Sequence, residues 1–284
     1  MTPSHLALAL VINLIWGFNF IASKYGVGHF PPVFFTALRF IFIVIVLLPW
    51  LKPIKGKMTE MLLIAGVIGI IHYSLMFTGL ALSNDVSSVA LAAQTNIPLA
   101  TIFAVIFLGE RIGWRRILAL VIAFGGVVLI GFDPIVFNNL GSLAFVLAGA
   151  LAFAVGTILI RRAGQINVFS MNAWIAVVAA PGLFILSAEF ESGHVEALQA
   201  AGWLPWAAVA FSAVGASVIG HSGAYFLWQR YPVNLVSTLL LLTPIFGVIF
   251  GVIFWGDQLT WRLVVGGMAT LAGVAIITVR TKQS

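Results

Sequence analysis

Residues Phe107 to Arg116 read FLGERIGWRR, and Phe254 to Arg262 read FWGDQLTWR, 147 positions further on. Carried through the apolar residues that follow, Phe107 to Ile130 pairs without a gap with Phe254 to Ile277. Seven of those 24 positions are identical: Phe107/Phe254, Gly109/Gly256, Trp114/Trp261, Arg115/Arg262, Gly126/Gly273, Val127/Val274 and Ile130/Ile277. Glu110 stands against Asp257. A repeat at a fixed offset predicts two structurally equivalent halves.

The residues around the repeat set its surroundings. Charged residues make up 8% of the chain and apolar ones 62%, with a mean hydropathy of +1.14; an average soluble domain has about 25% and roughly 45–50%. So few charges cannot cover a water-facing surface, and the chain reads as an integral membrane protein. It has no cysteine, which removes disulfides and thiolate metal sites from consideration. The net charge of +6 sits in short loops between apolar runs, as membrane orientation requires, so no nucleic-acid partner is expected. The N-terminal MTPSHLALAL lacks a basic region and a small-residue cleavage site, so the first apolar run is read as a retained helix.

Ten windows meet the length of a membrane span: 5–23, 33–50, 61–82, 86–108, 116–132, 141–160, 170–188, 203–228, 235–255 and 261–279. None alternates polar and apolar residues as a barrel strand would, so the fold class is all-α. With the N-terminus in the cytoplasm, eleven Lys and Arg fall in inner loops and two, Lys24 and Arg262, in outer ones. Six of the eight acids, Asp85, Asp133, Glu189, Glu191, Glu196 and Asp257, fall outside. Five is an odd number of spans, so a second copy enters the membrane upside down. The expected architecture is two inverted five-helix repeats, residues 1–132 and 141–284, with no soluble domain and both termini inside. Arg111 and Arg116 become Gln258 and Leu263 in the second copy, which thins the basic residues where the loop changes sides.

An inverted repeat commonly builds a transporter with its site near the midplane between the halves. Polar groups facing hydrocarbon are costly, so those inside the spans should point into the bundle. The first span offers Trp16, Asn19 and Ser23; the third, His72 and Tyr73; the fourth, Ser87, Gln94, Pro98 and Thr101. The eighth places Ser217, His221, Tyr225 and Trp228 along one face, and the ninth offers Asn234, Thr238 and Thr243-Pro244. The plain reading of Ser87, Thr101 and Thr238 is hydrogen bonding between helices. Arg39 is the one strong charge well inside a span, read either as snorkelling outward or as a counter-charge for a substrate carboxylate. The candidate substrate-binding set is Trp16, Asn19, Arg39, His72, Tyr73, Gln94, His221, Tyr225 and Trp228, an aromatic pocket with a few polar tips. Pro98 and Pro244 each remove a backbone hydrogen bond inside a span and are the expected kinks and gates. Trp203, Trp206, Trp255 and Trp261 read as interface anchors. Glu110, among Arg111, Arg115 and Arg116, reads as a structural ion-pair cluster.

No acid lies in the middle of a span, so the commonest intramembrane proton relay is missing and facilitated or histidine-coupled movement is expected. The spans supply no converging acid, nucleophile or metal ligands, so no enzyme, cofactor or metal is expected. The expected partners are a small-molecule solute and the lipid bilayer, with no obligatory protein partner. A membrane-embedded enzyme, a channel and a carrier of nucleotide sugars or phosphate esters stay open as alternatives.

Several features in order along the chain carry a resemblance: Trp16-Gly17 with Asn19, Pro31-Pro32 followed by Arg39, Pro98, Gly109-Glu110-Arg111 and Gly126. In the second half they are Pro244, Gly256, Asp257 and Gly273. Together they resemble the EamA-type ten-helix transporters of the drug/metabolite transporter superfamily, over nearly the whole chain. The resemblance implies an exporter of small metabolites in a bacterial inner membrane working by alternating access, with amino acids of aromatic or bulky apolar side chain as cargo. The chain departs from the pattern in several places, among them Pro244, which lies one residue farther from Gly256-Asp257 than Pro98 does from Gly109-Glu110. Asp257 stands where the family usually has Glu, and Trp16-Gly17 aligns with Phe153-Ala154 in the second half.

Overall fold

The computed structural model describes residues 1–109, 113–164, 166–230 and 239–279, and the side chains of all of these but 116, 225, 228, 229 and 277–279. The membrane helices are α1 (Pro3–Val27), α2 (Pro32–Trp50), α3 (Met58–Leu82), α4 (Val86–Leu108) and α5 (Trp114–Gly131). After a single turn at Pro134–Phe137 come α6 (Leu140–Ala163), α7 (Val168–Phe190), α8 (203–230), α9 (Leu242–Trp255) and α10 (Trp261–Val279). Seven of these are long and apolar enough to cross a bilayer. The other three supply the shorter apolar stretches Ile117–Gly131, Leu242–Trp255 and Trp261–Ile276. The outside of the bundle is apolar: Ile45, Ile106, Val121, Ile185 and Ile253 are each more than 60% exposed. Lipid, not water, is the solvent for such a surface.

Helix ends follow the local sequence. Thr2, Asp85, Asn139 and Asn167 each accept a backbone N–H of the helix they precede. Gly109 and Gly256, matched in the repeat, both end their helices at positive φ, 67° and 76°. One boundary differs from expectation. α1 runs on to Val27, so Lys24, expected in an outer loop, lies in its last turn and is buried.

The packing obeys an exchange of the two halves. α3 packs on α6 as α8 packs on α1; α4 on α6 as α9 on α1; α3 on α7 as α8 on α2. The pairs α2 with α7, α4 with α9 and α5 with α10 map onto themselves. The α5–α10 seam, built from the repeated stretch, shows this at atomic scale. A Cβ on Gly126 would meet the carbonyl of Gly266 and sit 2.6 Å from the Thr270 nitrogen. A Cβ on Gly273 would sit 2.6 Å from the Ala119 carbonyl and 2.7 Å from the Ala123 nitrogen. Each partner is the 147-residue image of the other, and the backbones touch because neither position carries a side chain.

The helices that face the middle of the bundle are irregular. α4 passes through a 3-10 turn at Ala93–Thr95 directly before Pro98, whose ring would clash with the carbonyl four residues back. A turn at Leu241 precedes Pro244 in the same way. α3 and α8 widen into π-helix over Ala65–His72 and Phe211–His221, and α9 does so over Gly251–Trp255.

Candidate functional site

The π-helical stretches of α3 and α8 occupy matching places in the two halves, and each ends on a histidine. A π-turn spaces its carbonyls so that side chains can reach them, and such turns occur frequently at functional sites. In α8 the Ala216 carbonyl receives Trp16 Nε1 at 2.9 Å and lies 3.0 Å from His221 Nδ1. The Trp16 and His221 rings are 5.2 Å apart. His72 Nδ1 lies 2.9 Å from the Gly149 carbonyl of α6, with its ring beside Tyr73 and Phe153 at 4.6 and 4.9 Å. Both bonds fix the proton on Nδ1, since a carbonyl only accepts.

Arg39 sits seven residues into α2, 2% exposed. It donates from one terminal nitrogen to Ser217 Oγ at 2.6 Å, and Ser217 in turn donates to the Ser212 carbonyl at 3.3 Å. Its guanidinium carbon lies 4.7, 5.4 and 5.8 Å from the ring centroids of Tyr73, Phe77 and Phe40, within cation–π range. Its Nε is buried without a hydrogen-bond partner. The group does not snorkel: it is enclosed by α2, α3 and α8, with a donor to spare. Asn19 Oδ1, Ser23 Oγ and Ser212 Oγ are likewise buried and unpartnered. Unpaired polar atoms of this kind are rare in native interiors and call for a physical explanation.

The expected set is thus partly assembled. α8 links Arg39, through Ser217, to His221 and Trp16, and Tyr73 joins Arg39 from α3. His72 is turned to α6. Gln94 is half-buried and makes a long 3.5 Å bond to its own helix at Ala90. Tyr225 and Trp228 are on α8, but their side chains lie outside the described residues, as do Glu110, Arg111, Asn234 and Thr238. Pro98 and Pro244 are buried beside their helix breaks. Trp203 and Trp261 are exposed as interface anchors would be, but Trp206 is not one: it is half-buried, 5.3 Å from the Phe30 ring.

Three groups absent from the expected set hold the structure around the site. Asn13, fully buried, uses both amide hydrogens on the Ala9 and Leu239 carbonyls, and its Oδ1 accepts from Thr243 Oγ1 at 2.7 Å. It braces the break in α9. Lys24 Nζ donates to the carbonyls of Leu80, Ala81 and Ser83 at 2.8, 3.1 and 2.5 Å, capping the C-terminus of α3. Asp257 Oδ2 accepts from Val86 N, Ser87 N and Ser87 Oγ at 3.0, 2.7 and 2.6 Å, gripping the N-terminus of α4. Glu191 grips α2 in the same way through the Val33 and Phe34 nitrogens. All but Asn13 belong to the end of the bundle that carries the acids. There burial pushes the Asp85 carboxyl above the usual carboxylate range, against the pull of its bonds from Ser88. A small pocket at that end, lined by Ser83, Asn84, Asp85, Ser88, Asn139 and Ser142 among others, lies away from Arg39.

The chain matches the sequence profile of the EamA-like transporter family twice, over residues 4–132 and 140–279. It is 27% identical over 279 residues to a protein of Archaeoglobus fulgidus called an uncharacterized transporter, covering 96% of this chain and 97% of that one. It is 22% identical over 279 residues to a probable amino-acid metabolite efflux pump of Salmonella typhimurium, covering 95% and 93%. It is also 21% identical over 277 residues to a protein of the same description in Escherichia coli, covering 95% and 93%. A solved crystal structure with 19% identity superimposes with a TM-score of 0.65 over 97% of this chain and 96% of the other, which shows a shared fold.

Proposed function

The chain belongs to the EamA-like transporter family, and from that premise we propose that it exports small metabolites bearing a carboxylate, amino acids with aromatic or bulky apolar side chains among them. The two halves, 1–132 and 141–284, work as inverted repeats that open the midplane to one side and then the other, with Pro98 and Pro244 as the yielding points. The setting is a bacterial inner membrane with both termini in the cytoplasm, which the eleven-to-two distribution of basic residues supports. Under that orientation the acidic end is the outer one.

The observation that carries the reading is Arg39. A guanidinium held 2% exposed, hydrogen-bonded to Ser217, with an Nε that has no hydrogen-bond partner and three aromatic rings around it, is prepared for an anion. A carboxylate fits its planar fork, and Phe40, Tyr73, Phe77 and Trp16 offer an apolar body its place. The described spans contain no carboxylate at mid-depth, so cargo moves down its own gradient and no intramembrane acid relay drives it. Facilitated carriage is favoured over a channel because an enclosed site with unpaired polar atoms binds before it releases.

The test is a thermal-shift panel on purified protein, followed by counterflow in liposomes. Amino acids should raise the melting temperature and show saturable counterflow. Arg39→Met, which keeps length and apolar contacts, should abolish both while leaving the unliganded protein folded. Stabilisation by sugars or nucleotides alone, or an undiminished response in Arg39→Met, would overturn the reading.

A further inference from the structure

The fold of α8 makes His221 a hydrogen-bond acceptor. Its π-turn brings the Ala216 carbonyl round to the ring five residues on, 3.0 Å from Nδ1. The neutral imidazole therefore keeps its one proton on Nδ1 and bares the lone pair of Nε2. Gly220 makes room for this arrangement. A Cβ there would run into Trp16 Nε1, and the indole could no longer donate to the same carbonyl or lie 5.2 Å from the His221 ring. Among the described residues no donor reaches Nε2. Asn19, one turn on from Trp16 along the same face of α1, adds a second acceptor: an Oδ1 that is buried and has no partner.

Arg39 faces the same stretch of α8. It donates to Ser217, four residues before His221, and side chains at that spacing share a helix face with about 5–6 Å between their Cβ atoms. Arg39 and His221 are within electrostatic reach of each other. A donor fork with no counter-charge thus stands beside acceptors with no donor, at a spacing that one small zwitterion can span.

We propose that the cargo is an α-amino acid zwitterion held at both ends: Arg39 takes the carboxylate, and His221 Nε2 with Asn19 Oδ1 takes the α-ammonium. The proposal rests on the carboxylate reading above and names the second charged group of the substrate and the residues that select it.

The chemistry of the acceptors favours an ammonium. That group offers three N–H donors and accepts nothing, so it matches bare lone pairs, and its charge strengthens each bond. The described spans hold no carboxylate at mid-depth, so an amine alone would bring a charge that nothing there balances. A zwitterion brings its own balance. A plain carboxylate would satisfy Arg39 but leave Nε2 and Oδ1 enclosed without donors, which costs binding energy. An acidic amino acid would bring a second anion to a site with one guanidinium.

Probes that differ only in the amine test the assignment on the purified protein. The pairs are L-phenylalanine with 3-phenylpropionate and L-leucine with 4-methylpentanoate, each titrated to a dissociation constant at one neutral pH. In at least one pair the amino acid should bind about tenfold more tightly than its plain acid, the scale of one hydrogen bond to a charged group. His221→Phe keeps a ring beside Trp16 and removes the acceptor. It should bring that ratio below about threefold by weakening the amino acid and not the plain acid. His221→Gln, whose side chain still offers an acceptor oxygen, should recover part of the ratio, and Asn19→Leu should lower it with His221 intact. Equal affinities within both pairs, or a ratio unmoved in both His221→Phe and Asn19→Leu, would overturn the proposal alone, because the carboxylate still binds. Phenylalaninamide binding as tightly as phenylalanine, in the parent and in Arg39→Met alike, would instead overturn the carboxylate reading, and with it a ligand held at both ends.

Discussion

Replacing Gly126 with alanine tests the seam on which the two halves meet. The added methyl would lie 2.6 Å from the Thr270 nitrogen and 2.5 Å from Thr270 Oγ1, and would run into the Gly266 carbonyl. Two of the three obstacles are backbone, so no rotamer change relieves them. The helices must separate until the 2.6 Å contact reaches the 3.4 Å at which ordinary contact begins. Overpacking of this kind costs about 1–3 kcal/mol, offset by about 1 kcal/mol of helix propensity gained on replacing glycine. Gly125, one residue earlier on α5, would place its methyl in open space, so Gly125→Ala gains the propensity without the clash. The two neighbours should therefore differ by about 1–3 kcal/mol, read as melting temperature or denaturant midpoint in one detergent. Gly273→Ala meets Ala119 and Ala123 backbone at 2.6 and 2.7 Å and should match Gly126→Ala. If Gly126→Ala proves as stable as Gly125→Ala, or Gly273→Ala is tolerated while Gly126→Ala is not, the seam and its exchange symmetry are refuted.

Asn13→Leu should destabilise the protein by about 1–3 kcal/mol, because it strands the Thr243 hydroxyl and the Leu239 carbonyl in the interior. A double-mutant cycle with Thr243→Val, followed by denaturant unfolding, should return a coupling of roughly 0.6 kcal/mol and no more than about 1.7. Asp85 gives a pH signature. Its carboxyl is held above its unfolded-state value by burial, so the stability it lends is present below that unfolded value. That stability is lost as pH rises through the folded-state value. Melting temperature should accordingly fall with rising pH across that interval in the parent and fall less in Asp85→Asn; identical slopes would refute the assignment.

The frame of the molecule could be read from the chain because its signals are local or periodic. Apolar runs mark spans wherever they pack. Gly126 and Gly273 stand out at a fixed offset because close backbone approach forbids a side chain at both. Arg39 stands out because a charge in an apolar run is costly wherever it points. The partners that give these residues meaning were hidden by distance. Ser217 lies 178 residues from Arg39, Leu239 and Thr243 lie 226 and 230 from Asn13, and Ser87 lies 170 from Asp257. Asp257 read as a thinned copy of Glu110 in a loop, since nothing nearby in sequence shows that it turns back under α4. Lys24 read as a loop cation for the same reason: the carbonyls that hold it belong to α3. The π-stretches left no mark either, because they follow from how α3 and α8 pack and not from residue type.

The α5–α10 seam has a mechanical consequence. If the two transport states differ by the halves trading conformations, any contact between different helices of the two halves must exchange its geometry with its counterpart. The seam between the equivalent helices α5 and α10 has, as a whole, itself as counterpart. Gly126 against Gly266 and Thr270 simply becomes Gly273 against Ala119 and Ala123, the arrangement already present on the other side of the same seam. In such an exchange the seam would keep one geometry in both states, and its glycines hold the two backbones close along it.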